Sequence, residues 1–339
     1  MTASGPRARK WLVTGAAGFI GSNLIERLLQ IGQPVVGVDN FSTGSRRNLD
    51  SVLAAVGTKA GQQLEFLESD VRDLEACHRA CRDVDVVFHQ AALGSVPRSI
   101  RDPLATHQVN VDGLVNMLIA ARGAGVKRFI YASSSSVYGD HPGLPKLEEQ
   151  LGKPLSPYAA GKRAGELYAM VFSDVYGLET IGLRYFNVFG RRQDPKGPYA
   201  AVIPKWIGSL LQGEQCVIFG DGSTSRDFCY IDNVIEANLL AATAPPRSQA
   251  VNKIYNVAVG GRTTLTTLFS LIRESVAKRD PHLAAAEAAH QPFREGDVRH
   301  SEADISRVRK LLGYSPRYAI AEGLDETVAW YFKERAFST

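Results

Sequence analysis

The feature that most constrains this chain is the run GAAGFIG, which sets Gly15, Gly18 and Gly21 directly after the apolar segment WLVT (11–14). Glycine accepts positive φ and lets another backbone come close. Gly15 therefore suits a tight turn, Gly18 leaves room for a pyrophosphate, and Gly21 lets the next helix pack closely on the strand. A helix starting near residue 20 offers free N–H groups and the positive end of its dipole to an anion. The spacing is GxxGxxG, and a glycine pattern alone is often only a turn. Its place between a strand and a helix carries the reading.

The first half of the chain keeps this alternation. Short β-rich apolar runs stand at 11–14, 34–39, 64–69, 85–90, 127–134 and 179–188, and helical patterns cover about 20–31, 103–124 and 157–176. Such a pattern predicts a parallel sheet covered on both faces. Right-handed crossovers make it an α/β, doubly wound, Rossmann-type fold. After about 190, Pro, Gly and charged residues become frequent and the segments shorten. This predicts a dinucleotide-binding domain over 1–190 and a smaller C-terminal substrate lobe over 191–339, with some chain crossing back. AAAEAAH (284–290) reads as a surface helix.

The second strand ends in Asp39, eighteen residues after Gly21. A carboxylate there hydrogen-bonds ribose hydroxyls and repels a 2′-phosphate, which favours NAD over NADP. Arg46 and Arg47 follow closely and argue the other way unless they are solvated loop cations. Asp70-Val71, after the third strand, is placed to meet the adenine; the bland alternative for Asp70 is a cap for the helix starting near Asp73.

YASSSSVYG brings Ser133, Ser134, Ser135 and Ser136 to the end of the fifth strand, the edge at which open α/β sheets bind ligands. Tyr158 and Lys162 follow at i, i+4 on one helix face. A lysine ammonium beside a phenol favours the phenolate, and a positive nicotinamide ring pushes the same way. Together they make a base from a group whose ordinary pKa is about 10. YxxxK alone is common by chance as an aromatic–aliphatic helix contact. Behind a serine cluster and downstream of the glycine run it is far more specific.

These motifs, together with HQAAL (89–93), Asn110 and RYFNVFG (184–190), make the chain resemble an extended short-chain dehydrogenase/reductase over nearly its whole length. Within that superfamily it is most similar to the UDP-hexose 4-epimerases, closest to the subgroup acting on UDP-N-acetylglucosamine. The resemblance implies NAD held by Gly15, Gly18, Phe19, Ile20 and Gly21 at the first turn. It adds Asp39, Asn40, Ser42 and Gly44 after the second strand, Asp70 and Val71 after the third, and Gln90, Ala91 and Ala92 after the fourth. Tyr158 would be the base and Lys162 the ribose ligand that lowers its pKa. Ser134 would be the assisting hydroxyl, with Ser135 the second candidate. Asn110 would support the site's backbone and Tyr185 would lie near the nicotinamide.

The resemblance also addresses the reaction. Related 4,6-dehydratases carry Asp-Glu directly after the catalytic hydroxyl residue, where this chain has Ser135 and Ser136, and the Glu usual in sugar-acid decarboxylases is missing too. Without a second acid–base pair, a transient 4-keto sugar can only turn and take its hydride back on the other face. Asn187 matches a phosphate contact, and VIFGDGSTSRDFCYIDN (217–233) a nucleotide clamp. Val217 and Phe219 would enclose a uracil, Arg226 and Arg294 would reach the diphosphate, Asp297 the ribose, and Val202 would be a further substrate contact. Arginine forks suit phosphate oxygens, although a lone Arg is more often a surface salt-bridge partner and Phe219 more often core. Ser301, where hexose-restricted epimerases have a bulky Tyr, and Gly94-Ser95, where they tend to have a lysine, favour an N-acetylated hexosamine. The expected reaction is UDP-GlcNAc to and from UDP-GalNAc. The alternatives are UDP-glucose/UDP-galactose, a UDP-hexosaminuronic acid, a 4,6-dehydratase, or a non-catalytic NAD-binding protein.

Composition excludes other classes. A net charge of +4, with both signs interleaved, provides no basic stripe for nucleic acid. Cys77, Cys81, Cys216 and Cys229 make no metal-ligand spacing, so no metal is expected, and a reducing compartment fits. The polar N-terminus does not read as a signal peptide, and no apolar run reaches the ~18 residues of a membrane span. The expectation is a cytoplasmic homodimer, its interface formed by the helices near 103–124 and 157–176, which resemble the superfamily's interface pair.

Overall fold

The computed structural model describes residues 9–196, 200–293 and 299–336. The chain opens with β1 (Trp11–Thr14), α1 (Phe19–Gln30), β2 (Val35–Asp39), α2 (Arg46–Gly61), β3 (Leu64–Glu68) and α3 (Leu74–Ala80). It continues with β4 (Val86–His89), α4 (Val96–Arg101), α5 (Pro103–His107), α6 (Gly113–Gly123), β5 (Arg128–Ser134), α7 (Pro157–Tyr176) and β6 (Thr180–Tyr185). The sheet runs β3-β2-β1-β4-β5-β6, with Lys253–Val257 as a seventh strand beside β6. The pairings from β3 across to β5 are parallel, and Trp11 faces Val35 on one side and Val86 on the other. This is the doubly wound fold. Its order reverses between β1 and β4, which opens a crevice beyond their carboxyl ends.

Apolar runs explain the core. Every residue of β1, β2 and β4 is buried, as a strand covered on both faces requires. In β5 burial lapses at Ala132 and Ser134, where the strand reaches the sheet's edge. Cys77 and Cys81 lie in the core against Leu118 and Phe129. From α5 a π-helical turn, Gln108–Asp112, leads straight into α6, so 103–124 is one rod with a widened turn around Asn110.

Three features differ from expectation. The run 179–188 is not one strand: β6 stops at Tyr185, Asn187 takes a positive φ of 32°, and Val188–Phe189 pairs instead with Cys229–Tyr230. The Ala-rich 284–290 is not a helix. A 3₁₀ turn, Pro281–Ala285, gives way to the strand Ala288–Gln291, parallel to Cys216–Phe219; the ladder satisfies a run of backbone groups, and this outweighs alanine's helix propensity. The later chain also keeps long helices, among them Ile231–Thr243 and Ile320–Ala336.

Two compact units emerge. The first runs to His141 and adds Leu151–Arg184 and Ile235–Tyr255; the second holds Pro142–Gln150, Tyr185–Val234 and the chain from Asn256 onward. No helix among the described residues is long and apolar enough to cross a membrane.

Candidate active site

The turn after β1 has no room for a side chain at Gly15 or Gly21. Gly15 takes a φ of +69°, and a Cβ there would lie 2.9 Å from the Ala91 nitrogen. A Cβ on Gly21 would lie 2.0 Å from the Gly15 carbonyl oxygen, so helix and turn touch backbone to backbone. Gly18 caps α1 without any side-chain hydrogen bond, and no acid occupies the first turn. The N–H groups at Phe19 and Ile20 therefore begin the helix in the way that receives an anion.

Asp39 closes β2. Its carboxylate accepts N–H bonds from Ala17 (2.9 Å) and Phe41 (2.7 Å). Burial pushes its pKa up, and these donors oppose the rise. A Cβ on Gly44 would come within 3.0 Å of the same carboxylate. Asn40 donates to Asp70 (2.8 Å) and accepts from the Ser42 N–H (3.0 Å), linking the ends of β2 and β3. Asp70 takes a two-pronged contact from Arg72, which pulls its carboxyl down to about 2. Asp73, not Asp70, caps α3, accepting from Glu75 and Ala76. Arg46 is exposed, paired with Glu68 at 2.8 Å and laid over the Phe41 ring.

The end of β4 carries a pair that sequence reasoning missed. Thr14 Oγ1 meets His89 Nδ1 at 2.9 Å and accepts the Ala91 N–H at 3.2 Å. Burial, aided by Lys162, holds His89 at about 3, so its ring is neutral. Gln90 donates to Asn238. Asn110 grips Leu93 through both backbone groups, at 2.8 and 3.2 Å, and so fixes the loop after β4. Ser95 caps α4, while a Cβ on Gly94 would meet nothing within 4 Å.

Ser156 caps α7 with Pro157 in its first turn, which starts the helix one residue before Tyr158. Burial raises the Tyr158 pKa, and a hydrogen bond with Ser134 opposes this. Ser134 Oγ also meets Ser136 Oγ at 3.1 Å and accepts the Ser136 N–H. Ser135 opens the short 3₁₀ turn that follows β5. One turn beyond Tyr158, Lys162 donates to the Ala132 carbonyl at 2.8 Å. Burial depresses its ammonium to about 8, against the pull of Glu166. The structure thus brings together hydroxyl, phenol and ammonium. Behind them lies a second group unforeseen from sequence, Glu166 with Arg184. The signal was there, since Tyr158, Lys162 and Glu166 continue a four-residue spacing.

In the second unit, Val217 and Phe219 alternate with buried Cys216 and Ile218 and face a cavity of about 290 Å³. Asn187, Val202, Arg226, Trp206, Phe228 and Phe293 also line it. Asn187 donates to the Asp227 carbonyl, and Arg226 donates to the carbonyls of Ser225 and Arg299. Asp227 takes N–H bonds from Val259, Gly260, Gly261 and Ala303, yet burial still pushes its pKa up to about 6. Ser301 donates its N–H to the Ser225 carbonyl beside the clamp strand. Phe293, under the Arg299 guanidinium at 3.3 Å, was missed because no periodic pattern surrounds it. Tyr185 is buried at the start of this unit. Arg294 and Asp297 lie outside the described residues.

Residues 11–258 match the NAD dependent epimerase/dehydratase family. The chain belongs to that family. It is 39% identical to a UDP-glucose 4-epimerase of Mycolicibacterium smegmatis, across 94% of this chain and 97% of that protein. It also matches the structure of UDP-N-acetylglucosamine 4-epimerase from Methanobrevibacter ruminantium M1 in complex with UDP-N-acetylmuramic acid. That match has 38% identity and a TM-score of 0.87 over 97% and 100% of the two chains. UDP-glucose 4-epimerase from Thermotoga maritima, solved with UDP-glucose, matches at 36% identity and a TM-score of 0.86 over 96% and 99%.

The family's cofactor is NAD, and the crevice of this chain fits it. The helix start is uncapped, Gly15 and Gly21 have no room for Cβ atoms, and a buried carboxylate closes β2 beside the turn. When bound, NAD supplies an acceptor and then a donor of hydride.

Proposed function

We propose that this family member is a UDP-sugar 4-epimerase whose preferred pair is UDP-GlcNAc and UDP-GalNAc. The observation that carries the reading is the Tyr158–Ser134 hydrogen bond, with only serines, Ser135 and Ser136, following it. Tyr158 takes the proton from the C4 hydroxyl as hydride leaves C4, and Ser134 steadies that oxygen. Lys162 holds the phenolate by its charge. Among the described residues beside Tyr158 no second acid is present to expel a hydroxyl from C6, so the same tyrosine returns the proton after the 4-keto sugar turns.

The cavity lined by Asn187, Val202, Val217, Phe219 and Arg226 is proposed to take the nucleotide, with Arg294 and Asp297 as further ligands. Similarity to solved enzymes for both glucose and N-acetylglucosamine leaves the choice of sugar to Ser301 and Gly94. Both are small, and Gly94 has open space around it. The test is a substrate panel with Ser301→Tyr. We expect kcat/KM for UDP-GlcNAc to fall at least tenfold while UDP-glucose turnover is retained, because a ring at 301 fills acetamido space and one steric mismatch is worth about 1–3 kcal/mol. Equal losses on both sugars would contradict the steric account.

A homodimer through the rod at 103–124 and α7 completes the proposal. Leu104 and Val175 are each 66% exposed, and Leu167, Met170 and Val171 also face solvent, an apolar patch of the kind that marks an interface. A monomer in light scattering at micromolar concentration would refute it.

A further inference from the structure

We propose that Glu166 is a positioning residue for the Tyr158–Lys162 pair: it ties α7 to the end of β5 and keeps the Lys162 ammonium charged in a buried place. This rests on the catalytic reading given above. Glu166 stands one helical turn after Lys162 and its side chain is 1% exposed. Oε1 accepts from the Ser133 hydroxyl at 2.6 Å and from Arg184 Nε at 2.7 Å. Oε2 accepts from Arg184 Nη2 at 2.9 Å and Arg163 Nη1 at 2.8 Å. Ser133 immediately precedes Ser134, so the carboxylate holds the strand end that presents the assisting hydroxyl. Arg184 also reaches the Tyr138 hydroxyl at 3.1 Å, anchoring the turn that follows the serines.

The charge balance supports the second role. Burial pushes the Glu166 pKa up, but its guanidinium and hydroxyl partners hold it below the usual carboxylate range. It therefore stays anionic whenever the enzyme works. The charged and titratable groups packed around it and Lys162 are Tyr158 and Arg163 on α7, His89 on β4, Tyr131 on β5 and Arg184 on β6. Glu166 is the one anion among these under neutral conditions, and it opposes the burial that strips Lys162 of its proton. A neutral Lys162 no longer favours the phenolate.

The sign of one titration separates this role from a merely structural one. In NAD-saturated protein with 13C-labelled lysine, the Lys162 ε-carbon signal is assigned by its loss in Lys162→Met. Its pKa is then followed in Glu166→Gln and Arg163→Met. Glu166→Gln is expected to lower the Lys162 pKa by about one unit, as loss of a nearby opposite charge in a medium of intermediate dielectric requires. Loosened packing would admit water and raise it. Arg163→Met leaves the buried pair intact, removes a cation and is expected to shift the pKa upward by less. A rise or no change in Glu166→Gln overturns the proposal. If that variant does not fold, Glu166→Asp keeps the charge and is expected to leave the Lys162 pKa close to the wild-type value; a fall of about one unit there overturns the proposal. The titration involves no sugar, so failure to epimerise would count against the functional reading alone.

Discussion

Two buried carboxylates, one in each unit, meet four donors apiece and titrate in opposite directions. Glu166 is bound by two guanidiniums and a hydroxyl and stays ionised below the usual range. Among the described residues, Asp227 is bound by the backbone N–H groups of Val259, Gly260, Gly261 and Ala303, and burial lifts it to about 6. Dipoles offset less of the desolvation of a charge than countercharges do. The first unit thus holds its chemistry with compensated charge. The second orders its clamp with backbone geometry around one poorly compensated anion, so the two should respond differently to mutation and to pH.

The largest effect expected from splitting the two is on the phenol. Tyr158→Phe should lower kcat about 10²- to 10⁴-fold, the range for loss of a positioned acid–base group, with UDP affinity unchanged by calorimetry. Near-normal turnover would remove Tyr158 from the mechanism. Next comes Asp227→Asn, which puts an amide donor against backbone donors. Unsatisfied buried groups cost about 1–3 kcal/mol each, so UDP affinity should fall on the order of tenfold or more while NAD content stays at the wild-type level. Loss of NAD along with UDP would mean that the carboxylate is not local to the clamp.

The pH responses sharpen the contrast. The folded-state pKa of Asp227 lies above the ordinary 3.8, so its protonated form is the one the fold favours. Its contribution to stability is full below about 3.8 and is lost as pH rises through about 6. A protonated Asp227 cannot accept all its N–H donors, so UDP affinity should weaken as pH falls through about 6, with the inflexion absent in Asp227→Asn. In the first unit, Lys162 titrates at about 8. Turnover should decline as pH rises through that value while UDP affinity stays flat. A flat kcat profile to pH 9.5 would show that the ammonium is not needed.

The sequence is legible where backbone and chemistry coincide. Gly15, Gly18 and Gly21 mark the turn, because no Cβ fits at Gly15 or Gly21. Tyr158 and Lys162 mark one helix face, and the apolar runs mark six strands of the sheet. It is illegible where a long-range partner decides. Ala288–Gln291 forms a strand only because Cys216–Phe219 offers a ladder. Ile235–Tyr255 returns to the first unit, and Pro142–Gln150 leaves it, through contacts that local periodicity does not encode. Glu166 and Arg184 look like any helix acid and strand base until the fold buries them together.

In the proposed epimerisation one hydride leaves C4 and returns to the same carbon on the other face. UDP-GlcNAc carrying deuterium at C4 tests it most directly, incubated with the purified protein in ordinary water without added cofactor and followed by NMR. UDP-GalNAc with the deuterium retained at C4 is the expected product. Product that has lost the label to solvent, or release of a 4-keto-6-deoxy sugar, would contradict it.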